Sequence, residues 1–159
     1  MEQPNKNSGF WARGGAWVVA QNTLSLFIGV LSPLTKGGHT TGIWQPLGLF
    51  LIAIGAVYGI AGVVALGAKL SAFPTPKSNS SLVQHGIYKH VRHPLYASVG
   101  FLCAGWVTFW KSTPALILFL LLVVVLTLKA RHEEKLLTTR FPEYESYRKQ
   151  TKSVIPWLI

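Results

Sequence analysis

Leu47 to Leu70 reads LGLFLIAIGAVYGIAGVVALGAKL, with no charge before Lys69. About 20 apolar residues suffice to carry a helix across the hydrocarbon core of a bilayer. The stretch therefore predicts a transmembrane span and an all-α membrane fold. Its glycines and alanines let helices approach closely in lipid. Gly55, Gly59 and Gly62 could mark a helix contact, either inside the chain or between copies in a homo-oligomer.

Upstream, Ala16 to Leu34 is a further apolar run, interrupted by Gln21, Asn22 and Thr23. A bundle interior satisfies such polar groups and lipid does not. No small-residue cleavage site follows a short apolar core, so this first span is expected to be retained. Downstream, Leu95 to Trp110 and Ala115 to Leu128 hold 16 and 14 residues, parted by Lys111, Ser112, Thr113 and Pro114. A spanning helix needs roughly 17–25 residues. Helix continued into the flanking polar stretches lengthens both into a tight hairpin, which gives four crossings. Residues 1–70 then form an N-terminal pair of spans. Residues 71–159 hold a Pro- and Ser-rich connector (Pro74 to Ser81), a loop, the hairpin and a C-terminal amphipathic helix, all within one integral catalytic domain.

Of the 159 residues, 50% are hydrophobic and 13% charged, which is too apolar for an ordinary soluble domain of this length. Fifteen Lys and Arg stand against five acids. Basic residues flanking long apolar runs face anionic lipid headgroups rather than nucleic acid. Four spans put Lys6, Arg13, Lys69, Lys77, Lys89, Arg92 and the seven basic residues from Lys129 to Lys152 on one side, against only Lys36 and Lys111 on the other. The positive-inside rule makes that basic side, with both termini and the middle loop, cytoplasmic. Trp44, Trp106 and Trp110, near span ends, fit an interfacial aromatic belt. The single cysteine, Cys103, excludes an intrachain disulfide and a Cys-based metal site. It reads as a small buried hydrophobe. His90 and His93 with His132 could suggest a histidine-ligated metal. Five histidines in all fall short of the repeated clusters that membrane di-iron oxygenases use, and no metal is expected. Neither a Gly-rich phosphate loop after a strand nor a Gly-x-Ser-x-Gly nucleophile motif occurs.

Two segments carry chemistry. In the middle loop, Ser81-Leu-Val-Gln-His-Gly-Ile-Tyr-Lys-His-Val-Arg-His-Pro-Leu-Tyr96 packs three His, an Arg and two Tyr at the entrance of the third span. Gly86 permits a turn, and Pro94 suits the first turn of a helix. Arg92 and His93 then sit at a helix N-terminus. Together they make either a carboxylate or phosphate site or an anchor among lipid headgroups. The second segment, Lys129 to Tyr147, concentrates four of the five acids between Glu133 and Glu145. Continued helix places Lys129, Glu133 and Leu136 on one face, and Glu134, Leu137 and Phe141 on a neighbouring one. Pro142 ends that helix or opens another, followed by Tyr144 and Tyr147 one turn apart. The segment is either one wall of a pocket at the membrane surface or an amphipathic interfacial helix.

The pattern Leu82-Val83-x-x-Gly86-x-Tyr88-x-x-x-Arg92-His93-Pro94-x-Tyr96, an apolar hairpin, then Glu133-Glu134-x-x-Leu137-x-x-x-Phe141-x-x-Tyr144-x-x-Tyr147 and a closing Ile155-Pro156 resembles the isoprenylcysteine carboxyl methyltransferase and phospholipid methyltransferase superfamily. The resemblance covers roughly residues 70 to 159. It implies an integral membrane enzyme that uses S-adenosyl-L-methionine, bound between the loop before the hairpin and the helix after it. It implies that Ser81, Leu82 and Val83 line the cofactor pocket, and that Tyr88 and the stretch His93, Pro94, Leu95, Tyr96 hold the cofactor with Glu133. Lys129, or Arg131, falls where carboxyl-methylating relatives place a substrate-binding Arg. Methyl acceptors in the superfamily are prenylated cysteine carboxylates, phospholipid amines and small thiols. Reductase cousins with a similar C-terminal half use a nicotinamide cofactor, and a non-catalytic membrane protein could keep the fold. Pro142 and Ser98 stand where many relatives have Gly, which bears on local pocket shape.

The chemistry of the residues agrees with that implication. The cofactor carries a carboxylate, an ammonium and a sulfonium, so it needs a cationic anchor, a carboxylate and aromatic faces. Arg92 and His93 supply the first, Glu133 or Glu134 the second, and Tyr88, Tyr96, Tyr144 or Tyr147 the third. Methyl transfer is an in-line displacement at carbon, helped mainly by positioning and by stripping water from the nucleophile, so no general base is obligatory.

Overall fold

The computed structural model describes residues 9–38, 42–75 and 81–153. Lys6, Lys77, the middle of the Pro74 to Ser81 connector and the closing Ile155-Pro156 lie outside the described residues. Five α-helices follow in order: α1 (Gly15–Leu34), α2 (Trp44–Leu66), α3 (Pro94–Trp110), α4 (Thr113–Arg140) and α5 (Tyr144–Gln150). Short 3-10 turns occupy Gly67–Lys69 and Gly86–Lys89. No strand occurs among the described residues; one isolated parallel bridge joins Val91 to Lys152.

Three stretches, Gly15–Leu34, Trp44–Lys69 and Thr113–Arg140, are long and apolar enough to cross a membrane. α3, at 17 residues, is shorter. The usual arrangement of apolar residues is inverted here. Large side chains such as Val64 (76%), Leu26 (67%) and Ile117 (65%) stay exposed on the helix exteriors. An apolar exterior of this extent belongs in a bilayer, and the chain is an integral membrane protein.

Successive helices run up and down. α2 and α3 lie antiparallel, and their backbones nearly touch at one crossing. A Cβ built on Gly105 would stand 2.6 Å from the Gly48 carbonyl, and one on Gly48 would stand 2.7 Å from the Gly105 carbonyl. Ser98 Oγ donates to the Gly55 carbonyl at 2.7 Å, further along the same seam. Gly62 meets Leu95 near its end. Gly55, Gly59 and Gly62 therefore make an internal contact against α3.

The interior between α1, α3 and α4 is built on Ile28, Val107, Ala115, Leu122 and Leu126, with Cys103 and Trp106 packed against it. At the end away from the motifs, Lys111 takes a left-handed conformation (φ 52°) that turns α3 into α4. Ser112 caps α4 by accepting from the Ala115 amide at 3.2 Å. Its hydroxyl also shares a 2.6 Å hydrogen bond with Thr35 at the close of α1. At the opposite end Lys129 Nζ donates to Gln21 Oε1 at 2.8 Å. Of the polar trio in α1, Gln21 meets the bundle as expected, whereas Asn22 and Thr23 face outward, because the helical period of about 3.6 residues carries them away from α4.

α4 extends 12 residues beyond Leu128, the end of its apolar sequence. It stops at Arg140, and Pro142 falls in the turn before α5 rather than opening it.

Candidate active site

The loop before α3 is shaped by two residues. Gly86 starts its 3-10 turn at φ +60°, a left-handed conformation that side chains disfavour. Pro94 occupies the first turn of α3, with His93 as the N-cap. The chain beyond α5 then folds back along this loop. The Arg92 amide donates to the Lys152 carbonyl at 2.8 Å, the His93 amide to the Ser153 carbonyl at 2.9 Å, and the Lys152 amide to the His90 carbonyl at 3.0 Å. Below them the Tyr147 hydroxyl donates to the Tyr88 carbonyl at 2.6 Å.

The charged groups form two adjoining layers. In the first, Glu134 Oε1 accepts from Arg92 Nε at 2.8 Å and lies 3.2 Å from His93 Nε2. Arg148 Nε stands 3.6 Å from Glu134 Oε2. Arg92 Nη1 donates to the Arg148 carbonyl at 3.0 Å, to Thr151 Oγ1 at 3.3 Å and to the Thr151 carbonyl. Arg92 and Glu134 side chains are 8% and 11% exposed, so this pair is a buried brace joining loop, α4 and α5. In the second layer, the Tyr96 hydroxyl donates to Glu133 Oε2 at 2.6 Å. His93 Nδ1 lies 3.7 Å from that oxygen, which sets the ring between both carboxylates. Tyr96 stacks on His93 with ring centroids 5.2 Å apart. Lys129 Nζ sits 4.9 Å from the Tyr96 ring centroid and donates to the Ala72 carbonyl at 3.2 Å. A cation held over an aromatic face and by two oxygens can remain buried, as Lys129 is.

A cavity of about 140 Å³ opens beside these layers. One water needs roughly 10–15 Å³ on the same measure, so the space suits a ligand rather than a lone solvent molecule. The residues singled out in the sequence largely converge on it: Ser81, Leu82, Val83, Tyr88, Arg92, His93, Leu95, Tyr96, Glu133, Tyr144 and Tyr147 all line the wall. Four do not. Pro94 is buried against Gly62, Glu134 stands behind Arg92, Lys129 lies beneath Tyr96, and Arg131 is exposed on the outer side of α4. Sequence reasoning missed Leu66, Lys69, Ser71, Phe73, Pro74 and Thr75, which close the side facing α2. The signal in the sequence was local: a polar break directly after the Leu47 to Leu70 span. Leu137 and Phe141, already noted on one face of α4, complete the wall.

Burial raises the phenols of Tyr88 and Tyr144, and burial opposed by nearby Arg92 pushes Tyr147 up to about 12. At neutral pH these tyrosines are hydrogen-bond donors and aromatic surfaces. Tyr144 lines the cavity, and its hydroxyl is buried with no partner among the described residues. Such an orphan is costly unless a ligand or water meets it. Glu133, with a quarter of its side chain exposed, and the tyrosine faces complete a donor set that fits a ligand carrying an ammonium and a sulfonium.

A lipid-facing helical bundle with a polar, aromatic cavity at one end defines an integral membrane protein with a candidate ligand site at that end. Comparison with family models matches residues 44–144 to phospholipid methyltransferase, and the chain belongs to that family of membrane methyltransferases. A search of curated proteins gave no match. The matched region begins at the first residue of α2 and ends at the first residue of α5. α1, which supplies Gln21, and the segment from Tyr147 to Ser153 contribute to the site from outside it.

Proposed function

We propose that this chain transfers the methyl group of S-adenosyl-L-methionine to the amine of a phospholipid headgroup. The observation that carries the reading is one cavity lined by Glu133 and by the four tyrosines Tyr88, Tyr96, Tyr144 and Tyr147. The family supports the reaction type, and the membrane setting supports a lipid acceptor.

In this reading Glu133 receives the amino group of the donor, and Tyr88, Tyr144 and Tyr147 offer aromatic faces to its cationic sulfur. Leu82, Val83 and Leu95 bury its apolar parts and exclude water. Arg92, His93 and Glu134 hold the loop and α4 in register, so Glu133 and Tyr96 stay preorganised. When bound, S-adenosyl-L-methionine supplies an electrophilic methyl carbon on a positive sulfur. The chain then has to position a neutral amine nitrogen in line with that carbon and keep water away, and no side chain acts as nucleophile. α1 and the returning C-terminal segment work with the hairpin as one catalytic unit. The basic residues around the site end support a cytoplasmic placement of that end, and α3 running antiparallel to α2 supports four crossings.

Titration of the detergent-purified protein with S-adenosylhomocysteine tests the reading. Micromolar binding, abolished in Glu133→Ala, is expected. Folded wild-type protein that shows neither heat nor thermal stabilisation would overturn it and point to nicotinamide binding or a non-catalytic role.

A further inference from the structure

The cavity wall carries two basic side chains in different settings, Arg92 and Lys69. Arg92 is closed off: Glu134, Thr151 and the Arg148 carbonyl take its Nε and Nη1. Lys69 is open. It is exposed, lines the cavity, and donates from Nζ to Ser81 Oγ at 2.6 Å. No carboxylate pairs with it among the described residues. Beside it in the wall stands Phe73, whose ring carries the Arg13 guanidinium 4.4 Å from its centroid. This flank of the mouth is therefore positive, while Glu133 lies on the α4 wall.

Depth supplies the second argument. Lys69 is the last residue of the apolar stretch Trp44–Lys69. An ammonium at the end of a spanning segment stands at the level of lipid phosphates. Lysine binds phosphate as a compact point charge, and the adjacent hydroxyl adds a donor.

We propose that Lys69, with Ser81, binds the phosphate of a glycerophospholipid acceptor at the cavity mouth; this rests on the methyl-transfer reading above. An amine two carbons beyond that phosphate is thereby directed inward, past Ser81 toward Tyr96. The lipid chains remain outside, along the apolar surface that ends at Leu66.

The same cation could instead meet the carboxylate of the methyl donor, and the test separates the two. Wild type, Lys69→Gln and Lys69→Arg are titrated in detergent with three probes: S-adenosylhomocysteine, short-chain phosphatidylethanolamine, and the diacylglycerol with the same chains. Expected is stabilisation of wild type by the phospholipid and not by the diacylglycerol. Lys69→Gln weakens phospholipid binding about tenfold, keeps S-adenosylhomocysteine binding within about twofold, and Lys69→Arg recovers most of the lipid affinity. Unchanged lipid affinity in Lys69→Gln overturns the proposal. So does a loss confined to S-adenosylhomocysteine, which would assign Lys69 to the donor. Failure of S-adenosylhomocysteine to bind wild type would remove the methyl-transfer reading and leave the lipid comparison readable.

Discussion

Arg92 shows how a side chain read from sequence as a ligand anchor can also brace the protein itself. Its place before His93 and Pro94 marked a cation at a helix start, and a ligand carboxylate was a natural counterion. Glu134, 42 residues away, accepts from its Nε at 2.8 Å. Sequence spacing cannot distinguish an internal carboxylate from a bound one, because both satisfy the same donors. The brace makes a sharp prediction. Glu134→Ala should lower stability by roughly 3 kcal/mol, since it leaves Arg92 buried without a carboxylate, and Arg92→Ala should cost less, because His93 and Arg148 still flank Glu134. The double variant should lose far less than the sum, as thermal unfolding in detergent would show. Tyr144 predicts the opposite pattern. Its hydroxyl has no protein partner, so Tyr144→Phe should leave the melting temperature of the ligand-free protein unchanged. Affinity for S-adenosylhomocysteine should fall about fivefold, the worth of one hydrogen bond.

At the scale of elements, α2 and the start of α3 were legible because each is set by local rules: an uncharged apolar run, a glycine turn at Gly86, a proline in the first helical turn. The wall from Ser71 to Thr75 was not legible. It is held at the site by contacts distant in sequence: Lys129 donates to the Ala72 carbonyl across 57 residues, and Thr75 donates to the Arg13 carbonyl at 3.0 Å. The return of the chain to pair with Arg92 and His93 was hidden for the same reason. The glycine crossing between α2 and α3 was visible as composition but not as geometry. Gly105→Ala should destabilise the protein by about 1–3 kcal/mol, because the new methyl meets the Gly48 backbone rather than a movable side chain. Chemical unfolding should show this loss. Gly100→Ala, where nothing lies within 4 Å of the added carbon, should not share it.

For the whole molecule, the question is how many times the chain crosses. α3 has 17 residues, at the lower edge of the roughly 17–25 that span a bilayer. Its antiparallel course along α2 favours a crossing. In a Cys103→Ala background, Lys89→Cys should react with an impermeant thiol reagent from the cytoplasmic face. Lys36→Cys and Lys111→Cys should react from the opposite face. Labelling of residues 89 and 111 from the same side would remove α3 from the count of spans and halve the argument from charge asymmetry.

The bond between Lys129 and Gln21 also has a bearing on how the protein comes into being. The two residues are 108 positions apart. At a ribosomal pace of about 5–20 residues per second, Gln21 emerges on the order of 5–20 s before its lysine has been synthesised. For that interval α1 sits in the membrane as a half-finished piece, its amide waiting in lipid or held by whatever assists insertion. α2 and α3 wait less, because the partners across their seam, such as Gly55 and Ser98, are 43 positions apart. The bundle thus has a built-in order of birth: the site end of α1 is locked only when Lys129 arrives, and the wall from Glu133 to Tyr147 is added after it.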